Sequence, residues 1–330
     1  MSHHRMRSLA LRNVPTLILL VMFLLFSAVE PRFFDAETLT NVARQASYIG
    51  IMAVGMTLVL MTAGIDLSVG SLMYLSAVLV SEVIGRVALP VIAVPLLAVT
   101  IGILLGAING FGVTVLRVIP FVVTLATLTV FRGYGLSLSE SREVNYPDII
   151  ATIGSQTVLG VPVPVLVFAL VALVAHLVVT RTPFGRQLLA TGEDAKAAAK
   201  AGVPVRRILF SVYVISGALA GLAGFVALTQ LGTAPPSFGT ADEFDAIAAA
   251  VLGGTSLFGG RGSVFPGTVV GALLVQLIAA GLVFMRVDLY VTPMVTAGII
   301  LLAELVDAVR TRRLASMSGR TVTSSRISTT

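Results

Sequence analysis

VPVPVLVFALVALVAHLVVT (161–180) runs directly into RTPFGRQLLATGEDAKAAAKAGVPVRR (181–207), and this junction decides the fold. The first stretch has the roughly twenty apolar residues that a helix needs to cross the hydrocarbon of a bilayer. The second is a hydrophilic island in a chain that is otherwise mostly apolar. A membrane protein that keeps a long polar loop on one side of the bilayer usually offers it to a partner.

Working outward, 56% of the 330 residues are hydrophobic, 12% are charged, and the mean hydropathy is +0.99. Such a chain is too apolar to wrap one core in a wetted surface, so it reads as an all-α integral membrane protein. The net charge of +6 comes without an aromatic-interleaved basic patch, which argues against nucleic acid as a partner and leaves orientation in the bilayer as its cause. With no cysteine and three scattered histidines, disulfides, thiol catalysis and a metal cluster are not expected.

Apolar runs fall near 14–29, 46–63, 67–85, 88–115, 119–138 and 160–180 before the island, and near 208–231, 243–258, 263–284 and 289–309 after it. That is a polytopic helical bundle of about ten spans. Arg5, Arg7 and Arg12 ahead of VPTLILLVMFLLFSAV (14–29) resemble a signal peptide, but the long run and weak cleavage site favour an uncleaved first span. The expected layout is a cytoplasmic N-terminus (1–13), one transmembrane domain (14–310) and a disordered cytoplasmic tail (311–330). Alternating spans put Arg117, the island, Arg261 and the tail arginines 310, 312 and 313 on one side, as the positive-inside rule requires. The loops 30–44 and 139–158, with Pro235 and Pro236, fall on the other.

Glycines recur four apart at 102, 106 and 110, at 217 and 221, and at 267 and 271. In lipid this spacing permits close helix packing within one subunit, or serves gating or dimerisation. The Gly-rich segments TAGIDLSVGS (62–71) and LGGTSLFGGRGS (252–263) hint at an inverted repeat with broken helices.

Four stretches carry a resemblance: MTLVLMTAGIDLSVGS (56–71), IPFVVTLATLTVFRG (119–133), TPFGRQLLATGEDAKAAAKAGV (182–203) and FDAIAAAVLGGTSLFGGRGS (244–263). Together they resemble the permease subunits of ribose-type ABC sugar importers, in the expected order, over about 41–307. The resemblance implies a channel in the bacterial inner membrane with both termini cytoplasmic. It also implies a second permease copy, a cytoplasmic ABC ATPase subunit that holds ATP and Mg, and a periplasmic sugar-binding protein. No cofactor is expected on this chain. Nor does it carry a phosphate loop of the form GxxxxGK[ST], since Lys196 and Lys200 are each followed by Ala.

By resemblance the island is the ATPase-coupling loop, with Phe184, Gly185, Arg186, Gly192, Ala198 and Gly202 matching the family pattern; the plainer reading is a solvated loop that orients the protein. Its middle, 193–201, is Ala-rich and should form a short helix. Asp66, costly at membrane depth, either caps a helix beginning near Leu67, with Ser68 assisting, or meets substrate. Gly253, Gly254, Thr255 and Ser256 either break a helix beside the path or form a tight turn ending at Arg261. Arg132 either snorkels to the interface or positions an outer gate, and His176 reads as a packed residue rather than a proton relay. A path for a neutral sugar needs hydroxyls and amides, for which Asn109, Thr124, Thr127, Ser216 and Gln230 are candidates, although such groups more often bond neighbouring backbone.

Three rival classes remain. A permease for branched-chain amino acids or other small solutes would share these features. An ion-coupled transporter would need paired carboxylates within the spans, whereas Asp66, Asp245, Glu304 and Asp307 sit near predicted ends. A membrane enzyme would need a convergent base, nucleophile and orienting group, and none is identifiable.

Overall fold

The computed structural model describes residues 14–87, 89–288, 291, 294, 297, 298 and 301. The N-terminal arginines, the tail and, apart from those isolated positions, the expected span 289–309 lie outside the described residues. The chain divides into a unit Met1–Val287 and a second unit Asp288–Thr330. The architecture below is that of the first.

Twelve α-helices are described: α1 (Val14–Val29), α2 (Ala36–Met61), α3 (Val69–Ile84), α4 (Ala93–Thr114), α5 (Pro120–Leu138), α6 (Asp148–Ser155), α7 (Val163–Arg181), α8 (Pro183–Glu193), α9 (Ala195–Lys200), α10 (Val205–Leu231), α11 (Asp242–Leu252) and α12 (Val269–Phe284). Six helical stretches, α2, α4, α5, α7, α10 and Val264–Phe284, are long and apolar enough to cross a membrane. Two-residue strands pair antiparallel: β1 (Val144–Asn145) with β4 (Thr233–Ala234), and β2 (Thr157–Val158) with β3 (Val161–Pro162).

Local sequence explains the ends. Proline stands in the first turn of α5, α7 and α8, where its missing N–H costs nothing. The Asp194 carboxylate caps α9, accepting from Lys196 N at 2.8 Å and Ala197 N at 3.0 Å. Gly232, left-handed at φ +72°, ends α10.

α2 is the central helix. From Ile49 to Met61 every side chain is buried, and α10, α11, α12 and α7 surround it. By contrast α5 and α7 keep large apolar side chains exposed, such as Val130 at 62% and Leu170 at 61%, as expected of faces that meet lipid. α4 and α10 cross through glycine: a methyl group added at Gly102 or Gly106 would strike the backbone of α10 at Gly217 or Tyr213, and one at Gly221 the backbone of Ala98. The third pair serves a different seam, with Gly267 and Gly271 against the backbone of Gly253 and Ala249. All three glycine sets therefore pack within the chain.

Two differences from the sequence expectations matter. The expected span 243–258 is only the 11-residue α11, about 16 Å long at 1.5 Å per residue, so it reaches roughly half the hydrocarbon thickness. The approach to it, 232–241, is irregular, and so is the approach to α3, 62–68. The two N-terminal ends meet: a side chain at Gly70 would strike the Gly239 carbonyl and the Glu243 carboxylate. The island also holds two helices, α8 and α9, where one was expected; Pro183 starts the first.

Candidate functional site

Asp66 lies in the irregular stretch between α2 and α3 and is fully buried. Its Oδ1 accepts from Ser68 N at 3.0 Å and Ser68 Oγ at 2.6 Å, and its Oδ2 from Ser216 Oγ at 2.9 Å. Asn109 Nδ2 donates to Ser68 Oγ at 2.7 Å, and Thr127 Oγ1 to Asn109 Oδ1 at 2.7 Å. Thr124 Oγ1 donates to the Ile65 carbonyl at 3.1 Å. Six of the polar residues singled out from sequence thus form one network tying the entry to α3 to α4, α5 and α10.

No cation pairs with Asp66, because the ion pairs among the described residues are three surface ones. A buried carboxylate then depends wholly on its hydrogen-bond donors. α3 begins at Val69 rather than near Leu67 and has no side-chain cap; Asp66 instead takes the Ser68 amide just ahead of it. Tyr213 was not singled out; its buried hydroxyl lacks a partner and lies where a side chain at Gly64 would reach, 2.6 Å away.

Arg132 is bound within the protein. Its Nη1 donates to the carbonyls of Phe238 at 2.7 Å and Pro236 at 3.3 Å, and its guanidinium stands 4.8 Å over the Tyr74 ring. It therefore fixes the 232–241 approach to α11. Beside it the first turn of α11 carries Asp242, Glu243 and Asp245, with Tyr48 within electrostatic reach of both aspartates. Of the triplet only Asp245 is named from sequence, as a residue near a span end; acidic residues behind Pro235, Pro236 and Gly239, heading an apolar run, were the signal for the other two. Gln230 stands apart from the Asp66 network, donating to the Arg44 carbonyl at 3.0 Å and lining a pocket of about 210 Å³ with Asn41, Arg44 and Gln45. His176 packs edge-on against Phe265.

Gly253, Gly254, Thr255 and Ser256 make the turn that ends α11. Gly254 is left-handed at φ +89°, Thr255 N bonds the Ala250 carbonyl, and Ser256 N bonds that of Arg261. Thr255 Oγ1 is buried without a partner. The stretch that follows this turn meets the island, since Gly260 N donates to the Met61 carbonyl at 3.0 Å and any side chain at Gly192 would strike both groups. Of the island residues singled out, Gly185, Gly192 and Ala198 are buried and seat α8 and α9, Phe184 is half-buried, and Arg186 and Gly202 are exposed. The outward face of the two helices is formed by residues such as Arg186, Ala190 and Ala197.

Two short helices whose N-terminal ends meet, beside a buried polar network and a seated polar segment, are an architecture for moving a solute rather than for a reaction. A family model described as the branched-chain amino acid transport system / permease component matches residues 38–304. The chain belongs to this permease-component family. This permease is similar to the ribose import permease protein RbsC of Escherichia coli strain K12, 40% identical over 88% of the chain and 91% of that protein. It is also similar to the D-allose transport system permease protein AlsC of the same strain, 35% identical over 88% and 89%, and to the fructose import permease protein FrcC of Rhizobium meliloti, 34% identical over 89% and 84%. No solved structure matches the chain. It is a multi-pass membrane protein and a transport component rather than an enzyme.

Proposed function

We propose that this permease forms the transmembrane channel of an ABC importer carrying a monosaccharide across a bacterial inner membrane, with both termini cytoplasmic. The sugar assignment rests on the relatives named for ribose, D-allose and fructose import. The partners are a cytoplasmic ATPase that holds ATP and Mg, a periplasmic sugar-binding protein and a second permease copy. Residues 14–310 form the single permease domain of about ten membrane helices, α11 entering only part-way, and 311–330 a cytoplasmic tail. An inverted repeat would relate the Gly-rich segments 62–71 and 252–263, each adjoining a short helix.

One observation carries the reading. Gly192 in the island rests on the Met61 carbonyl, and Met61 is the last residue of α2, from which the 62–68 stretch holding Asp66 departs. Closure of an ATPase on α8 and α9 would therefore push directly on the stretch that anchors the polar network. In this reading Gly185, Gly192 and Ala198 seat the coupling helices, while Phe184, Arg186 and Gly202 serve the docking face. Asp66, Ser68, Asn109, Thr124, Thr127 and Ser216 hold the gate; Arg132 and the 253–256 turn fix the two ends of α11; Gln230 lies near the outer mouth.

The test pairs co-purification with uptake. Ala197 is exposed on α9, so Ala197→Trp is predicted to abolish recovery of an ATPase with the permease while leaving its folded yield unchanged. Uptake of labelled ribose, allose and fructose should stop in the same cells and in energy-depleted wild-type cells. Uptake of leucine with none of any sugar would instead point to an amino-acid permease, and uptake that survives energy depletion under an ion gradient would refute the ABC reading.

A further inference from the structure

We propose that the pocket between the α4–α5 turn and the start of α10 binds the phosphate headgroup of an anionic membrane phospholipid. The pocket encloses about 650 Å³ and is lined by Thr114, Val115, Arg117, Arg206, Arg207, Phe210 and Ser211. That volume falls in the range of small-ligand sites. Three guanidinium groups border it without a carboxylate: among the described residues the ion pairs involve only Arg32, Arg86 and Arg142. Guanidinium groups bind phosphate oxygens in bidentate fashion, so three free forks around one cleft suit a phosphate ester.

The backbone explains why a cleft exists there. α4 and α10 are drawn together through Gly102 and Gly106, and a side chain at Gly110 would meet the Phe210 ring 2.9 Å away. Past that contact α4 ends at Thr114 while α10 continues to Val205, and the pocket between them is lined by Arg117 from one side and Arg206 and Arg207 from the other. The occupant follows from the walls. Beside the arginines the surface is apolar and open, with Val115 57%, Leu116 61%, Ile119 68% and Phe121 48% exposed. Acyl chains would cover such a surface, whereas a soluble anion would leave it wet. The docking face of α8 and α9 is polar by comparison, carrying Arg186, Glu193, Lys196 and Lys200.

The test uses the full-length permease, purified in mild detergent and exposed to equal amounts of phosphatidylglycerol and phosphatidylcholine, with bound lipid read by native mass spectrometry. Wild type should retain phosphatidylglycerol preferentially, and the preference should fall about fivefold for each of Arg117→Gln, Arg206→Gln and Arg207→Gln, at roughly 1 kcal/mol per arginine near an anionic surface. Each single variant is measured beside the triple one, with its melting temperature in lipid-free detergent, so that a misfolded triple variant does not decide the matter. Millimolar inorganic phosphate should leave the bound lipid in place. Equal retention of the two lipids, an unchanged ratio in all three single variants, or displacement by free phosphate would overturn the proposal. So would loss of ATPase recovery with lipid preference intact, which would assign the arginines to the partner protein.

Discussion

Asp66 has donors and no cation, which ranks its substitutions in advance. Asp66→Ala leaves the Ser68 amide and the Ser216 hydroxyl facing a void, and each buried group without a partner costs about 1–3 kcal/mol. Asp66→Asn keeps an acceptor toward Ser68, and its amide can donate to Ser216 Oγ. The prediction is a clear fall in melting temperature in detergent for the alanine variant and a smaller one for asparagine. Equal losses would mean that charge, and not hydrogen bonding, holds the site. The Tyr213 hydroxyl, buried without a partner, gives the opposite expectation: Tyr213→Phe should match or exceed wild-type stability in the same assay, and a loss larger than that of Asp66→Asn would show that the hydroxyl is bonded. The members of this network were legible as residues, because a serine, asparagine or aspartate in an apolar run stands out. Their convergence was not, since Asn109, Thr127 and Ser216 meet Asp66 only after α4, α5 and α10 have packed.

Among elements, the α4–α10 seam makes the sharpest prediction. Gly102→Val drives a side chain into the Gly217 backbone and should cost about 1–3 kcal/mol, the range for overpacked interiors. Gly133→Val on α5, where nothing lies within 4 Å, should be neutral in the same thermal melt; a fall equal to that of Gly102→Val would place Gly133 at an interface. Long spans such as α4, α5, α7 and α10 were readable to within a few residues because their apolar runs are continuous. α2 starts at Ala36, ahead of the expected 46, because AETLTNVARQ (36–45) is helical while too polar to register as membrane-embedded. α11 was over-read at its C-terminal end, since hydropathy counts Leu257 and Phe258 and cannot see that the turn through Gly254, at φ +89°, stops the helix at Leu252. α8 went unseen because Gly185 and Gly192, poor helix formers, are retained for close contact with the Val179 and Met61 carbonyls.

For the whole molecule, the absence of cysteine makes sidedness directly measurable. Leu159, fully exposed, and Phe258, 90% exposed, lie in loops at opposite ends. In the proposed orientation Leu159→Cys reacts with an impermeant maleimide in cells whose outer membrane alone is opened, and Phe258→Cys reacts only after the inner membrane is breached. The reverse pattern would invert the topology. The half-length α11 also bears on how the protein is made. Eleven residues headed by Asp242, Glu243 and Asp245 are too short and too acidic for the translocon to release into lipid as a span. In the folded protein the segment packs on α2 and α12, with Arg132 donating to the Pro236 and Phe238 carbonyls ahead of it, so it can settle only once α12 has been made. Synthesis order is thereby built into the chain: a ribosome stalled between residues 252 and 284 would leave a nascent chain whose acidic turn still faces water.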